Sequence, residues 1–270
     1  MKLAFYTYSY TDRLNLPVAD CLAHIAQTGY AGIDESGTFG ASEDPRSVTF
    51  VRRRLVRDTA QQHGLSVEAV VTHAELTTTL AREQPLDLVR TVDLAADLGG
   101  SVVTFHMGGP VPDWTDDALW RSVVAAIQTA ARYAASRNIA LAVDGIWPRW
   151  IVPSPEALLR LFDDVGEDRF GVNFDPCYLT LIGVDPVSFV RRFAARIRHA
   201  HLKDHIGRYP KWEHRIPGEG VMDYVRVFAA LAEAGFAGSM AVECFPDMPF
   251  VEACGRGYAA MTEALRKAGV

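Results

Sequence analysis

Short runs of apolar and β-branched residues alternate along the chain with longer stretches whose apolar positions recur at helical spacing, and the alternation persists to the C-terminus. The short runs are Leu3–Thr7, Gly32–Glu35, Ser66–Thr72, Ser101–His106, Ile139–Asp144, Phe170–Asp175, Ile197–Leu202 and Met240–Glu243. Between them the spacing predicts helices at about 18–28, 45–63, 85–98, 116–136, 155–165, 186–195, 222–234 and 255–268. Asp44-Pro45, Ser154-Pro155 and Asp185-Pro186 each set a capping oxygen before a proline that suits the first helical turn. Gly29, Gly64, Gly99 and Gly235 stand just ahead of the following strand, where a left-handed helix end is easiest for glycine. Eight βα units with no helix-only or strand-only block imply a parallel sheet, and eight strands close it, so the expected fold is a single (β/α)8 barrel domain over residues 1–270. An open doubly wound sheet is the alternative, but no GxGxxG follows the first strand, which removes its usual nucleotide-binding form.

A closed barrel concentrates chemistry at the carboxyl ends of its strands. At or beside those ends stand His106, Asp144, Asp175, His201 and Glu243, on the fourth to eighth strands in turn. Alternate residues of a strand share a face, and Asp144, Asp175 and Glu243 share theirs with small or polar residues such as Ala142, Asn173 and Ala241. The intervening Leu141, Val143, Val172, Phe174 and Val242 suit the layer between sheet and helices. Carboxylates gathered at one rim repel one another unless a positive charge lies among them. Oxygen and nitrogen donors of this kind suit Mn²⁺, Mg²⁺, Co²⁺ or Zn²⁺, with Lys203 and Arg215 as competing positive partners.

With 49% hydrophobic and 22% charged residues the chain can bury a large core, which excludes a disordered or collagen-like protein. Its net charge of −6 argues against a nucleic-acid partner. The triple Arg52-Arg53-Arg54 falls on the second helix, outside such a barrel, and reads as a solvated face. Cys21, Cys177, Cys244 and Cys254 are widely spaced with no CxxC pair, which fits reduced thiols. The first residues lack the apolar run of a signal peptide, and no apolar stretch is long enough to span a membrane. The expectation is a cytoplasmic protein with no membrane partner, compatible with a homo-oligomer.

Several segments together resemble the xylose-isomerase-like barrel superfamily, in particular its sugar phosphate isomerase/epimerase branch. They are Gly29-Tyr30-Ala31-Gly32-Ile33-Asp34, Phe105-His106-Met107-Gly108, Val172-Asn173-Phe174-Asp175-Pro176, His199-Ala200-His201-Leu202-Lys203-Asp204, Pro217-Gly218-Glu219-Gly220 with Asp223, and Ala241-Val242-Glu243. The resemblance implies one divalent metal held by acids from strands five, six and eight and a histidine from strand seven. That carries Asp175, His201 and Glu243 across directly, with Asp144 in the fourth position. The family's strand-five residue is a glutamate, so Asp144 falls short by one methylene, on the order of 1 Å of reach, and is the least secure ligand. Many relatives place a histidine where this chain has Tyr178. The fold's DNA-repair endonucleases need that histidine, and also an aspartate where this chain has Trp212, which weighs against a nuclease.

The resemblance further implies proton removal beside a substrate carbonyl, with the metal polarising the oxygens of an enediolate. Glu243 is then metal ligand and acid/base, and Asp144 the opposing catalytic candidate. His106, Tyr178, His214, Arg215 and Trp147 are candidates for holding a carbohydrate substrate. His73 ranks below His106, Glu219 reads as a loop-fixing residue, and His199 as core packing. The aromatic residues Tyr6, Tyr8, Tyr10, Trp147, Trp150, Tyr178, Phe245 and Phe250 fall in the expected upper loops, where they suit a sugar ring or an attached aromatic group. The function these readings imply is a sugar isomerase or epimerase acting on a ketose or related polyol. A lyase that eliminates from a keto sugar or 3-keto glycoside is the alternative, and a non-catalytic sugar-binding barrel a further one.

Overall fold

In the computed structural model, which describes residues 1–36, 50–74, 76–77, 86–245 and 247–270, eight parallel strands close on themselves. They are β1 (Lys2–Tyr6), β2 (Gly32–Ser36), β3 (Ser66–His73), β4 (Val102–His106), β5 (Ala140–Asp144), β6 (Phe170–Phe174), β7 (Ile197–Leu202) and β10 (Ser239–Val242). The ring closes where β1 pairs with β10, Lys2 opposite Ser239, and with β2, Ala4 opposite Gly32. Around it lie α1 (Val18–Thr28), α2 (Phe50–Gln62), α3 (Leu86–Leu98), α4 (Asp117–Ser136), α5 (Pro155–Val165), α6 (Pro176–Leu181), α7 (Pro186–Phe193), α8 (Tyr224–Glu233) and α9 (Phe250–Ala268). An antiparallel hairpin, β8 (Asp204–Arg208) with β9 (Lys211–Arg215), interrupts the connection from β7 to α8.

Strand alternation sorts the side chains into two environments. Leu141, Val143, Val172, Phe174 and Val242 point outward and merge with the helices in one large apolar cluster. Inside the barrel, small groups such as Ala4 with Ala241 and Ala69 with Ala140 and Ala142 leave room for polar side chains. Between β6 and β7 the register shifts at Val172/Asn173, and a Cβ on Gly171 would lie 2.1 Å from the Arg196 carbonyl oxygen, so only glycine admits this approach.

The capping signals operate as expected at Ser154 and Asp185, which accept from the amides of Ala157 and Ser188. Gly29, Gly64, Gly99 and Gly235 all take positive φ at their helix ends. Asp44-Pro45 and the first turn expected for the second helix lie outside the described residues. The last helix starts at Phe250 rather than 255, because Pro249 sets the turn that opens it. Two elements escaped the pattern. Helix α6 is too short to display a helical period, and the hairpin lies within a segment rich in charges and aromatics. All four cysteines are free and buried, and among the described residues no helix is long and apolar enough to cross a membrane.

Candidate active site

The carboxyl end of β7 supplies the centre of the site. His201 and Lys203 are buried there, and the Lys203 ammonium lies 2.7 Å from Asp175 Oδ2 and 2.9 Å from Glu243 Oε2. Asp175 is positioned twice over: it ends β6 and caps α6, accepting at Oδ1 from the Tyr178 amide at 3.0 Å. The same cap sets the Tyr178 ring 4.2 Å beneath the Lys203 ammonium. Burial alone would lower the Lys203 pKa, but the charges of Asp175 and Glu243 outweigh it and hold the group well above its ordinary value. Burial would likewise raise Glu243, but Lys203 and His201 bring it down to about 2. For Asp175 the balance goes the other way: burial raises it despite Lys203.

His201 is held from below as well as from above. Its Nε2 lies 3.1 Å from Asp34 Oδ2, an oxygen that also accepts from His199 Nε2 at 2.6 Å. His199 continues the chain to Ser239 Oγ at 3.0 Å. His199 therefore belongs to a buried polar thread rather than to apolar packing as expected. A buried carboxylate bonded to one ring nitrogen fixes the other to face the barrel mouth. That other atom, Nδ1, is 3.1 Å from Glu243 Oε2, yet it makes no aligned hydrogen bond. Burial would lower the His201 pKa, but the hydrogen bond to Asp34 and the nearby charge of Glu243 raise it to about 10. Tyr6 stacks on the same ring at 5.4 Å.

Asp144 is placed differently from the other three expected ligands. Its Oδ1 accepts from Asn173 Nδ2 at 2.9 Å, and its Oδ2 lies 2.8 Å from His106 Nε2. The ring's N–H direction does not line up with that oxygen, so the contact is a close approach rather than an aligned bond. Burial would raise the Asp144 pKa, but His106 and Lys203 depress it well below the carboxylate range. His73 stacks on His106 at 4.7 Å with the rings 6° from parallel.

The hairpin divides the remaining candidates. Trp212 and His214 share one face by strand alternation; His214 stacks on Phe245 at 4.0 Å and accepts from Trp212 Nε1 at 3.3 Å. Burial lowers its pKa to about 4, so it is a neutral acceptor. Arg215 lies on the opposite parity and pairs with Glu213 at 2.8 Å. Trp147 meets Tyr178, Tyr209 and Trp212 edge-on at 5.3, 5.5 and 5.7 Å, so the loop after β5, helix α6 and the hairpin wall one side of the mouth together.

A divalent cation suits the donors at the centre. Asp175, Glu243 and His201 offer two carboxylates and an imidazole whose buried Nδ1 lacks an aligned partner. Among the described residues, the group whose ligand atoms all lie within 4.8 Å of one another is Asp34, His199 and His201, deeper in the barrel. Its 2.6 Å contact is a hydrogen-bond distance, too short for two donors sharing an ion at about 2.1 Å each. We read that trio as the support of His201. Asp34 was not singled out as a site residue in the sequence, although it is the lone acid on the inward face of β2.

The family model for the xylose isomerase-like TIM barrel matches residues 22–267. The chain belongs to this family. Among xylose isomerase-like proteins, an inosose dehydratase of Lacticaseibacillus casei is 29% identical over 103 residues, 33% of this chain and 35% of that one. The chain thus aligns with about a third of the length of that relative. An inosose dehydratase of Geobacillus kaustophilus (strain HTA426) is 24% identical over 256 residues, covering 84% of this chain and 79% of its own. A solved IolI protein with a bound zinc atom superimposes with a TM-score of 0.84 at 17% identity, over 99% of both chains.

Proposed function

We propose that the protein is an enzyme that removes the proton beside the carbonyl of a keto sugar or keto-polyol and then expels a neighbouring hydroxyl as water. The observation that carries this reading is the opposition of His106 to the cluster of Glu243 and Lys203. Glu243 follows β10 and His106 ends β4, and these strands lie diametrically across the eight-stranded ring, with Asp175, His201 and Lys203 rising between them. Asp175, His201 and Glu243 would hold a divalent ion, which when bound polarises the carbonyl and its neighbouring oxygen.

On the β4 side, His106 reaches the mouth with a fifth of its side chain exposed, while Asp144 is committed to His106 and Asn173. His106 takes the carbon-bound proton, and Asp144 fixes its ring and balances the charge it gains. On the far side, Lys203 donates a proton to the departing hydroxyl. One proton is taken and one given, a C–O bond breaks as a C=C bond forms, the products are water and the unsaturated keto compound, and the proton left on His106 returns to Lys203 through solvent. Tyr6, Tyr178 and Trp147 keep bulk water from the centre. The Geobacillus kaustophilus relative named an inosose dehydratase, aligned over 84% of this chain and 79% of its own, supports elimination.

A second reading, epimerisation, is favoured by the same opposition, since groups on both faces of a planar intermediate can return the proton to either side. Incubating metal-replete protein with a panel of keto sugars and inososes in heavy water separates the readings. An unsaturated product lighter by one water is expected, whereas equal-mass isomers carrying deuterium would establish epimerisation. Absence of both exchange and product across the panel would overturn the proposal.

A further inference from the structure

Beside the proposed reaction centre lies a cavity of about 270 Å³ whose aromatic walls take no part in the proton transfers. Its floor is His106 and Asp144, and its walls are Trp147, Trp150, Tyr178 and Trp212. Three separate segments build it, the loop after β5, helix α6 and the β8–β9 hairpin. Trp147 lies at the centre, with Trp150 on its other side at 6.5 Å.

The lining is poor in groups that could replace water around a hydroxylated ring. Asp144 Oδ1 is engaged by Asn173, its Oδ2 lies against His106, and Trp212 spends its Nε1 proton on His214. A bare sugar seated here would meet mostly aromatic carbon and regain only part of its hydrogen bonds to water, at a cost of roughly 1–3 kcal/mol for each stranded hydroxyl. A flat apolar group strands nothing, and aromatic walls meeting edge-to-face suit its ring. The size is adequate: an apolar cavity of about 150 Å³ already accepts benzene.

We propose that this cavity is a subsite for a planar aromatic substituent carried by the substrate, so that the keto sugar arrives as an aryl glycoside or similar conjugate. The inference rests on the reading of the mouth as a sugar site, because the cavity opens onto His106 and Asp144. It adds a substrate class that a fully hydroxylated inosose does not have.

The test uses binding rather than turnover. Titration of the metal-loaded full chain with 4-nitrophenyl β-D-glucoside and methyl β-D-glucoside, followed calorimetrically, should show the aryl compound binding more tightly by on the order of tenfold to a hundredfold. Trp147→Ala should collapse that ratio towards one. Trp212→Ala, on the half-exposed hairpin, should reduce it without touching the barrel and serves if the first variant does not fold. Equal affinities in the wild-type protein, no saturable binding of the aryl glycoside, or a ratio that survives both substitutions would overturn the subsite. Deuterium exchange into plain keto sugars would still stand in those cases, so failure of the subsite is distinguishable from failure of the proton chemistry.

Discussion

Two consecutive residues at the end of β7 carry buried charges, and their surroundings differ in kind. Lys203 faces the barrel mouth, where its partners are the side chains of Asp175 and Glu243. Asp204 faces the loop that follows, where its partners are backbone amides: Gly218 and Gly220 donate to Oδ2 at 3.0 Å each, and His205 and Met222 donate to Oδ1 at 2.8 and 3.1 Å. Backbone donors cannot turn away without refolding the loop, whereas side-chain partners can exchange for a substrate or an ion. The first arrangement is built to react and the second to hold. The Pro217-Gly218-Glu219-Gly220 segment serves this clamp, since a Cβ on Gly220 would lie 2.1 Å from Asp204 Oδ1. Glu219 closes the turn from outside by pairing with Arg256.

Substitution on the two sides should separate activity from stability. Glu243→Gln keeps the shape of the side chain but removes a charge shared by Lys203 and His201. Turnover of any keto substrate the wild type accepts should fall by roughly a hundredfold to ten-thousandfold, with retained divalent metal falling in elemental analysis of the purified protein. Full activity in this variant would remove Glu243 from the chemistry. Asp204→Ala should do the reverse: removing the acceptor of four buried or partly buried amides ought to cost about 1–3 kcal/mol of unfolding free energy in urea titration. A loss below about 1 kcal/mol, the net worth of a single ordinary hydrogen bond, would mean that water replaces the carboxylate and the clamp is dispensable.

The same contrast explains what was legible in the sequence. Strand order, helix positions and the inward parity of Asp175, His201 and Glu243 follow from local periodicity, and the barrel realises them. Partnerships between distant strands do not follow from it. Asp34 meets His199 and His201 across 165 and 167 residues of chain, and Asp144 turns to His106 because β4 is its neighbour in the sheet. The partner of Arg215, Glu213, is likewise set by a hairpin whose boundaries the pattern did not reveal. Asp204 lay in plain view within the His-Leu-Lys-Asp run, yet its role depends on amides 14 to 18 residues further on.

A third buried acid tests the contrast where neither kind of partner suffices. Glu35, at the end of β2, points outward between sheet and helices, and neither of its oxygens has an aligned donor among the described residues. Burial and then the nearby Asp12 charge push its pKa up to about 8, against the opposing charge of Arg52, so this arginine of the second helix is not wholly a solvated face. A carboxyl whose folded pKa lies above its unfolded value keeps its proton longer in the native state. Its contribution to stability is therefore full below the ordinary carboxyl range and is lost as pH rises towards 8. Over that window the wild-type protein should lose stability at a slope of up to about 1.4 kcal/mol per pH unit from this group. Glu35→Gln cannot ionise and should flatten the slope, leaving the part that comes from Asp12, whose pKa burial raises, and, above about pH 6.5, from His201. Urea titrations at pH 5, 6.5 and 8 measure both slopes. Identical slopes in wild type and variant would show that Glu35 is ionised in the folded protein and that Arg52 holds it as firmly as the amides hold Asp204.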